Sequence, residues 1–281
     1  MTVGKQEQRE PFSLHQADNG VVTVRLNEWL TSFPWLTAGF TTRRGGVGQK
    51  PWDELNTALH VGDRAEDVIE NRRLVSAAAG LKFEAWTCAE QVHGCDAAVV
   101  GASAAGSGRL SREEAIQGKD VLVTDTPGVM LAMFYADCVP LWFVDPVHRA
   151  VGLAHAGWRG SVAGAAKEAV RTMEREFGSS PSELRAAIGP SIRGCCYEVD
   201  DNIAQHFQQD PSDCLSPSSS PGKYMLDLAK FNRHKLTEAG ILPKHIEISQ
   251  YCTSCQTDLF FSHRKEKGIT GRMTAWIAVT R

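Results

Sequence analysis

A chain of 281 residues, 42% hydrophobic and 22% charged, is long enough for one large domain or two small ones with a real core. Its formal net charge of −3 and isoelectric point near 6.3 give no signal for nucleic acid or an anionic membrane as partner. No apolar run reaches bilayer length, and Met1–Glu7 carry no apolar signal core, which predicts a cytoplasmic protein.

Residues 1–19 are polar and predict irregular chain. Strands are expected over Val21–Leu26 and Leu36–Thr42, the second delivering Arg43-Arg44-Gly45-Gly46 into a loop. Two guanidiniums before two glycines can grip an anion, although a hairpin turn with solvated arginines has the same local pattern. Asp63 with Glu66 reads as a capping-box variant opening a helix over Arg64–Ala79, with Gly80 as its C-cap. His60, just before it, is either a structural histidine or a ligand. Ala85–Val92 and Ala97–Val100 flank Gln91-Val92-His93-Gly94-Cys95-Asp96, predicting a hairpin or bulge with His93 at its rim. Gly101–Gly118 is small, Ser/Gly-rich and charged, and predicts a mobile surface loop. Asp120–Asp125 is a strand leading through Thr126-Pro127-Gly128 into the centre of the chain.

There, Val129–Tyr135, Val139–Val144 and Ala150–Ala154 are three apolar runs of strand length. The turn Asp145-Pro146-Val147-His148-Arg149 folds the last two back on each other and brings Cys138 nearly opposite His155. Ser161 predicts the N-cap of a helix whose apolar positions Val162, Ala166, Ala169, Val170, Met173 and Phe177 recur at helical spacing. Beyond it come a strand at Leu184–Ile188, a short helix at Asp201–Gln208 and a Pro/Ser-rich surface loop at Asp210–Gly222. An extended Tyr224–Leu226 precedes a helix over Leu228–Ala239 capped by Gly240, and Ile246–Ser249 and Met273–Val279 are further strands. With no repeat and no clear linker, the pattern predicts one α/β-type domain over residues 1–281. Neighbouring strands argue for mixed sheets rather than simple βαβ alternation.

His93, Cys138 and His155 each end or follow a predicted strand. Two imidazoles and a thiolate suit zinc, with a fourth position left for water. The same Cys138 and His155 also suit a metal-free nucleophile–base dyad, with Asp137 orienting a histidine or capping the turn. A closed, non-catalytic metal site is the third possibility. Eight cysteines in a chain without a signal peptide are expected to stay reduced. Cys252-Thr253-Ser254-Cys255 is a lone CxxC, since Cys195-Cys196 lacks the spacing of a second zinc pair, and it reads as structural. Phe260-Phe261-Ser262-His263-Arg264-Lys265 with Gly271-Arg272 is a basic, aromatic-flanked stretch suited to phosphate, a planar ring or solvent.

Taken together, Thr41-Thr42-Arg43, Asn56 with Leu59-His60-Val61-Gly62-Asp63, Asn71-Arg72, Glu90-Gln91-Val92-His93-Gly94 and Asp120 carry a resemblance. So do Ala136-Asp137-Cys138-Val139-Pro140, Ala154-His155-Ala156-Gly157-Trp158-Arg159-Gly160, Gly189-Pro190, Cys196-Tyr197-Glu198-Val199, Asp227-Leu228, Cys252-Thr253 and Phe261-Ser262-His263-Arg264 with Gly271-Arg272. From Leu36 onward the sequence resembles the laccase-domain or polyphenol-oxidase-like family, also called YfiH-like or YlmD-like. Its members are described as zinc-dependent purine nucleoside phosphorylases with adenosine deaminase activity. The resemblance implies a single α+β domain of mixed β-sheets flanked by helices. It implies zinc, or copper in its place, on His93, Cys138 and His155, which would also be the catalytic residues. Implied substrates are adenosine, inosine, guanosine and methylthioadenosine, with phosphate as the second small-molecule partner and a monomer or homodimer as the assembly. Arg43, Arg44, Arg159 and Arg264 become candidates for phosphate, and Asn56, His60, Gln91 and Asp137 for nucleoside. Copper-dependent polyphenol oxidation is disfavoured, because a multicopper centre needs His-x-His pairs and none of the nine histidines is so paired.

Overall fold

The computed structural model of the protein describes residues 9–280. The three central apolar runs form strands buried on both faces, which is why they read as continuous rather than alternating. They do not lie in one sheet. Met130–Tyr135 belongs to a six-stranded sheet ordered Ser13–Gln16, Val22–Arg25, Leu36–Thr41, Met273–Val279, Met130–Tyr135, Trp86–Cys88. Val139–Asp145 and Ala150–Ala156 pair antiparallel in a second, ordered Ile246–Ile248, Arg185–Ile188, Val139–Asp145, Ala150–Ala156, Val121–Thr124, Ala97–Val99. A three-stranded sheet of Glu198–Asp200, Lys223–Leu226 and Leu215–Pro217 stands apart.

Strand alternation sorts the core into layers. Leu131, Met133, Tyr135, Ala275 and Ile277 of the first sheet meet Trp142, Val144, Val151 and Leu153 of the second. Trp142 Nε1 donates to the Trp276 carbonyl at 3.0 Å, a bond from sheet to sheet. The opposite side of the second sheet carries Leu141, Phe143 and Ala154, covered by Ala166, Ala169, Val170 and Met173 of the helix Ala165–Phe177 and Leu236 of the helix Leu228–Glu238. The first sheet's outer side, with Trp86, Met130 and Trp276, packs on Val75 of the helix Ala65–Ala78. The result is α+β, with mixed sheets between flanking helices. Among the described residues no helix is long and apolar enough to cross a membrane.

Several expectations need correction. Trp86–Cys88 and Ala97–Val99 are not a hairpin: each pairs in parallel with a strand of a different sheet, so the segment holding His93 crosses between sheets. Asp63 caps no helix. Its Oδ2 accepts from Asn56 Nδ2 at 2.9 Å, and the helix N-cap is Arg64, without a side-chain bond. The helix expected from Ser161 starts at Trp158 and breaks at Gly164, whose φ of 98° ends one helix and begins the next. Part of the expected surface loop at 210–222 is the strand Leu215–Pro217, with Cys214 buried beside it. The helix at Asp201 stops at Ala204. Within 1–19, Ser13–Gln16 is a strand and Phe12 is buried, while residues 1–8 lie outside the described residues. The 101–118 segment is pinned rather than loose, because buried Arg72 donates to the carbonyls of Gly108 at 2.7 Å and Arg109 at 3.0 Å.

Candidate metal centre and its cleft

The chain crosses between the two sheets twice at one end of the sandwich, and each crossing carries a candidate ligand. After Met130–Tyr135 the residues Ala136-Asp137-Cys138 lead into Val139–Asp145. After Trp86–Cys88 the segment through His93 leads to Ala97–Val99. His155 comes up on the neighbouring strand Ala150–Ala156, where its Cα pairs with Pro140. One donor atom from each of His93, Cys138 and His155 lies within 4.8 Å of the others. The two imidazoles stand 4.8 Å apart, edge to face at 77°. His155 is buried, Cys138 half-buried and His93 exposed, so the group opens to one side.

Asp120 organises the two histidines. It is wholly buried. Its Oδ1 lies 2.8 Å from His155 Nδ1 and accepts the His93 amide at 3.1 Å. Its Oδ2 accepts the amides of Val92 at 3.0 Å and Gly94 at 2.7 Å. Those bonds hold His93 in the left-handed region, at φ 62°. With Nδ1–H given to the carboxylate, His155 offers Nε2 to a ligand. Gly157 leaves the space that the donors need: a Cβ there would lie 3.0 Å from Cys138 Sγ and 3.1 Å from His93 Cδ2.

Burial raises the Cys138 pKa, but the imidazoles of His155 and then His93 outweigh it and hold the thiol down at about 6. Burial opposes charge on His155 too, yet the Cys138 thiolate and Asp120 lift it to about 9. At neutral pH the metal-free pair is therefore thiolate and imidazolium. Two imidazoles and a thiolate within reach of one point, a carboxylate fixing one far nitrogen and an open side together fit a single zinc-type ion with a free position.

The open side faces a cavity of about 480 Å³. Phe134, Trp158, Tyr197 and His60 give it aromatic walls, and Arg112, Arg159, Arg264 and Arg272 give it positive charge. Arg159 lies over the Trp158 ring at 4.4 Å and Arg264 over Tyr197 at 4.9 Å, so each guanidinium rests on a cleft aromatic and keeps its charge. His60 sits at the rim, edge-on to Phe134, where desolvation and the cations Arg272, Arg112 and Arg72 push its pKa down to about 4.

Other candidates are placed differently. Arg43 and Arg44 are not in this cleft. Arg43 pairs with Glu266 at 3.0 Å and stacks on Phe261, and Arg44 pairs with Asp258 at 3.2 Å. Asn56 is fully buried and outside the cleft lining; its Oδ1 accepts the amides of Ala58 and Arg272, so it shapes the loop behind Arg272. Gln91 lines the cleft but spends its amide on both backbone groups of Phe134, at 2.7 and 2.9 Å. Asp137, at φ 84°, accepts the Thr253 hydroxyl at 2.6 Å and the Arg264 amide at 2.7 Å, and its carboxylate is thereby committed to the cleft wall. Sequence reasoning gave no role to Asp120 or Arg112, whereas Arg272 belonged to the basic stretch read as suited to phosphate or a planar ring. An aspartate opening the fully buried strand Val121–Thr124 was the available signal for the first.

Comparisons with known proteins place the chain in a family. A family model described as multi-copper polyphenol oxidoreductase laccase matches residues 37–280. The purine nucleoside phosphorylase YlmD of Geobacillus stearothermophilus is 45% identical over 248 residues, 87% of this chain and 90% of that protein. The purine nucleoside phosphorylase YlmD of Bacillus subtilis is 40% identical over 274 residues, 96% of this chain and 97% of that protein. The crystal structure of YlmD from Geobacillus stearothermophilus superposes with a TM-score of 0.90 at 41% identity, covering 97% of this chain and 100% of that one.

Proposed function

The chain belongs to the family described as multi-copper polyphenol oxidoreductase laccase, and we propose that within it this chain is a purine nucleoside phosphorylase with zinc-dependent adenosine deaminase activity at the same site. The observation that carries this reading is the cleft itself. Its volume, about 480 Å³, suits a nucleoside, its lining includes His93, Cys138 and His155, and its walls combine aromatic rings with arginines. Relatives named as purine nucleoside phosphorylases, at up to 45% identity, support the same assignment.

His93, Cys138 and His155 would hold the metal. A zinc ion there would supply the Lewis acidity that makes a water nucleophilic near neutral pH, which deamination at purine C6 requires. Copper suits the same donors and binds such sets more tightly. Phe134, Trp158 and Tyr197 offer faces to the purine. His60, neutral at working pH, hydrogen-bonds the base or ribose without carrying charge into the cleft. Arg159 and Arg264 hold phosphate against C1′. A phosphate oxygen forms the new bond to C1′ while the C1′–N9 bond breaks, and its electron pair leaves with the purine. Gln91 and Asp137 act one step back, fixing Phe134 and Arg264.

The thiolate–imidazolium pair of Cys138 and His155 favours a second reading, a metal-free cysteine hydrolase. One experiment separates them. Adenosine, inosine, guanosine and methylthioadenosine are incubated with and without phosphate, before and after chelation, and products are read by mass spectrometry. Free base with ribose 1-phosphate should appear only with phosphate, and inosine from adenosine should form without it and stop on chelation. A panel that yields no purine from any nucleoside would sink the phosphorylase reading.

A further inference from the structure

Two turns distant in sequence face each other beside the cleft. Arg193-Gly194-Cys195-Cys196 is closed by the Cys196 amide donating to the Arg193 carbonyl at 2.9 Å, and Cys252-Thr253-Ser254-Cys255 by the Cys255 amide donating to the Cys252 carbonyl at 3.2 Å. A parallel bridge between Ser191 and Cys252 joins them. All four sulfurs lie within 4.8 Å of one another. Cys196 Sγ is 3.3 Å and Cys195 Sγ 3.6 Å from Cys255 Sγ, and the two adjacent sulfurs are 3.8 Å apart.

That spacing is a polyhedron rather than two pairs. Cys255 approaches both Cys195 and Cys196, whereas a disulfide needs one partner at about 2.05 Å. Four thiolates on a tetrahedral zinc, with Zn–S of about 2.3 Å, stand about 3.8 Å apart. Cys252, buried, also accepts the Arg193 amide on its sulfur at 3.4 Å, the kind of outer bond that orients a metal ligand. The adjacent Cys195-Cys196 departs from ribbon spacing, yet the fold delivers both sulfurs to one point.

We propose that Cys195, Cys196, Cys252 and Cys255 form a second, closed tetrathiolate zinc site, separate from His93, Cys138 and His155. Four sulfurs fill the coordination sphere and leave no position for substrate, so the role is structural. What it braces is visible. The Ile192 amide donates to the Asp137 carbonyl at 2.9 Å, and the Thr253 hydroxyl donates to the Asp137 carboxylate at 2.6 Å. Asp137 adjoins Cys138, so the cross-link fixes the wall on which the first site rests.

The test is elemental analysis with zinc-edge X-ray absorption on the full chain purified without chelator. About two zinc per chain are expected, with an averaged shell of about 2.5 sulfurs per zinc, from four in one site and one in the other. Cys255→Ser should lower the content to about one zinc per chain, with a shell of about one sulfur. His155→Ala should also lower it to about one, with a shell of about four sulfurs. A wild-type protein with about one zinc and a sulfur-poor shell, or with a native disulfide among these cysteines by mass, overturns the proposal. The wild-type measurement decides alone if Cys255→Ser does not fold.

Discussion

The buried carboxylate of Asp120 binds His155 Nδ1 at 2.8 Å and, through the same oxygen, the His93 amide at 3.1 Å. One side chain thus sets the tautomer of one candidate ligand and the backbone of another. Asp120→Asn keeps the shape and removes the charge. Zinc affinity at the His-Cys-His site is expected to fall about 10–100-fold, the usual cost of losing such a partner. Competition against a chromophoric chelator measures it, and an unchanged affinity would mean that the carboxylate orients nothing. Cys138→Ala and His155→Ala, which remove ligands outright, should each lose most of that zinc.

Protons should leave when the metal enters. In the metal-free protein Cys138 is held at about 6 and His155 at about 9. Between those values the thiol is already ionised and the imidazole still protonated. Zinc binding then displaces about one proton, and affinity falls about tenfold for each pH unit of acidification. Below pH 6 the Cys138 thiol also binds a proton and the dependence steepens. Calorimetry of zinc binding to metal-free Cys255→Ser at pH 7.5, in buffers of different ionisation heat, reads this at the His-Cys-His site alone. No proton release at that pH contradicts the raised His155 pKa.

Gly157 is needed for space rather than for backbone freedom, since its φ of −66° is open to any residue. A Cβ would stand 3.0 Å from Cys138 Sγ. Gly157→Ala is expected to weaken zinc binding and lower kcat by about tenfold or more, the scale of a disturbed ligand shell. The melting temperature of the metal-free protein should change little. Full zinc and full activity in this variant would show that the donors have room to move.

Much of this was legible in the sequence where local chemistry decides. Met130–Tyr135, Val139–Asp145 and Ala150–Ala156 announce themselves because both faces are buried, and the helix expected from Leu228 starts there, held by an Asp227 cap that the structure adds. Cys138 near His155 followed from one turn. Which sheet a strand joins is not a local property. The short strands around His93 look like a hairpin, yet each pairs with a strand further along the chain. Arg43-Arg44 has the right residues for an anion, but Glu266 and Asp258 reach them from the far end of the sequence. Cys195-Cys196 has the wrong spacing for a ribbon, and only the facing of two loops brings Cys252 and Cys255 to it.

Phosphate should depend on the arginines that the fold leaves unpaired in the cleft. Arg159 and Arg264 rest on Trp158 and Tyr197, and neither makes an ion pair among the described residues. An aromatic shelf orients a guanidinium without neutralising it, so the charge remains for a dianion. Arg159→Met and Arg264→Met are each expected to raise the phosphate KM about tenfold or more, because a charge-assisted bond contributes about 1.5–3 kcal/mol. Deamination of adenosine, which takes no phosphate, should change much less. Arg44→Met is the control: Arg44 lines a separate shallow pocket and binds Asp258 at 3.2 Å, and its loss should leave the phosphate KM unchanged. If Arg44→Met raises the KM while Arg159→Met and Arg264→Met do not, the phosphate site lies outside the cleft that holds His93, Cys138 and His155. If base is released equally fast in phosphate-free buffer with ribose as the co-product, water is the nucleophile and these arginines bind no co-substrate.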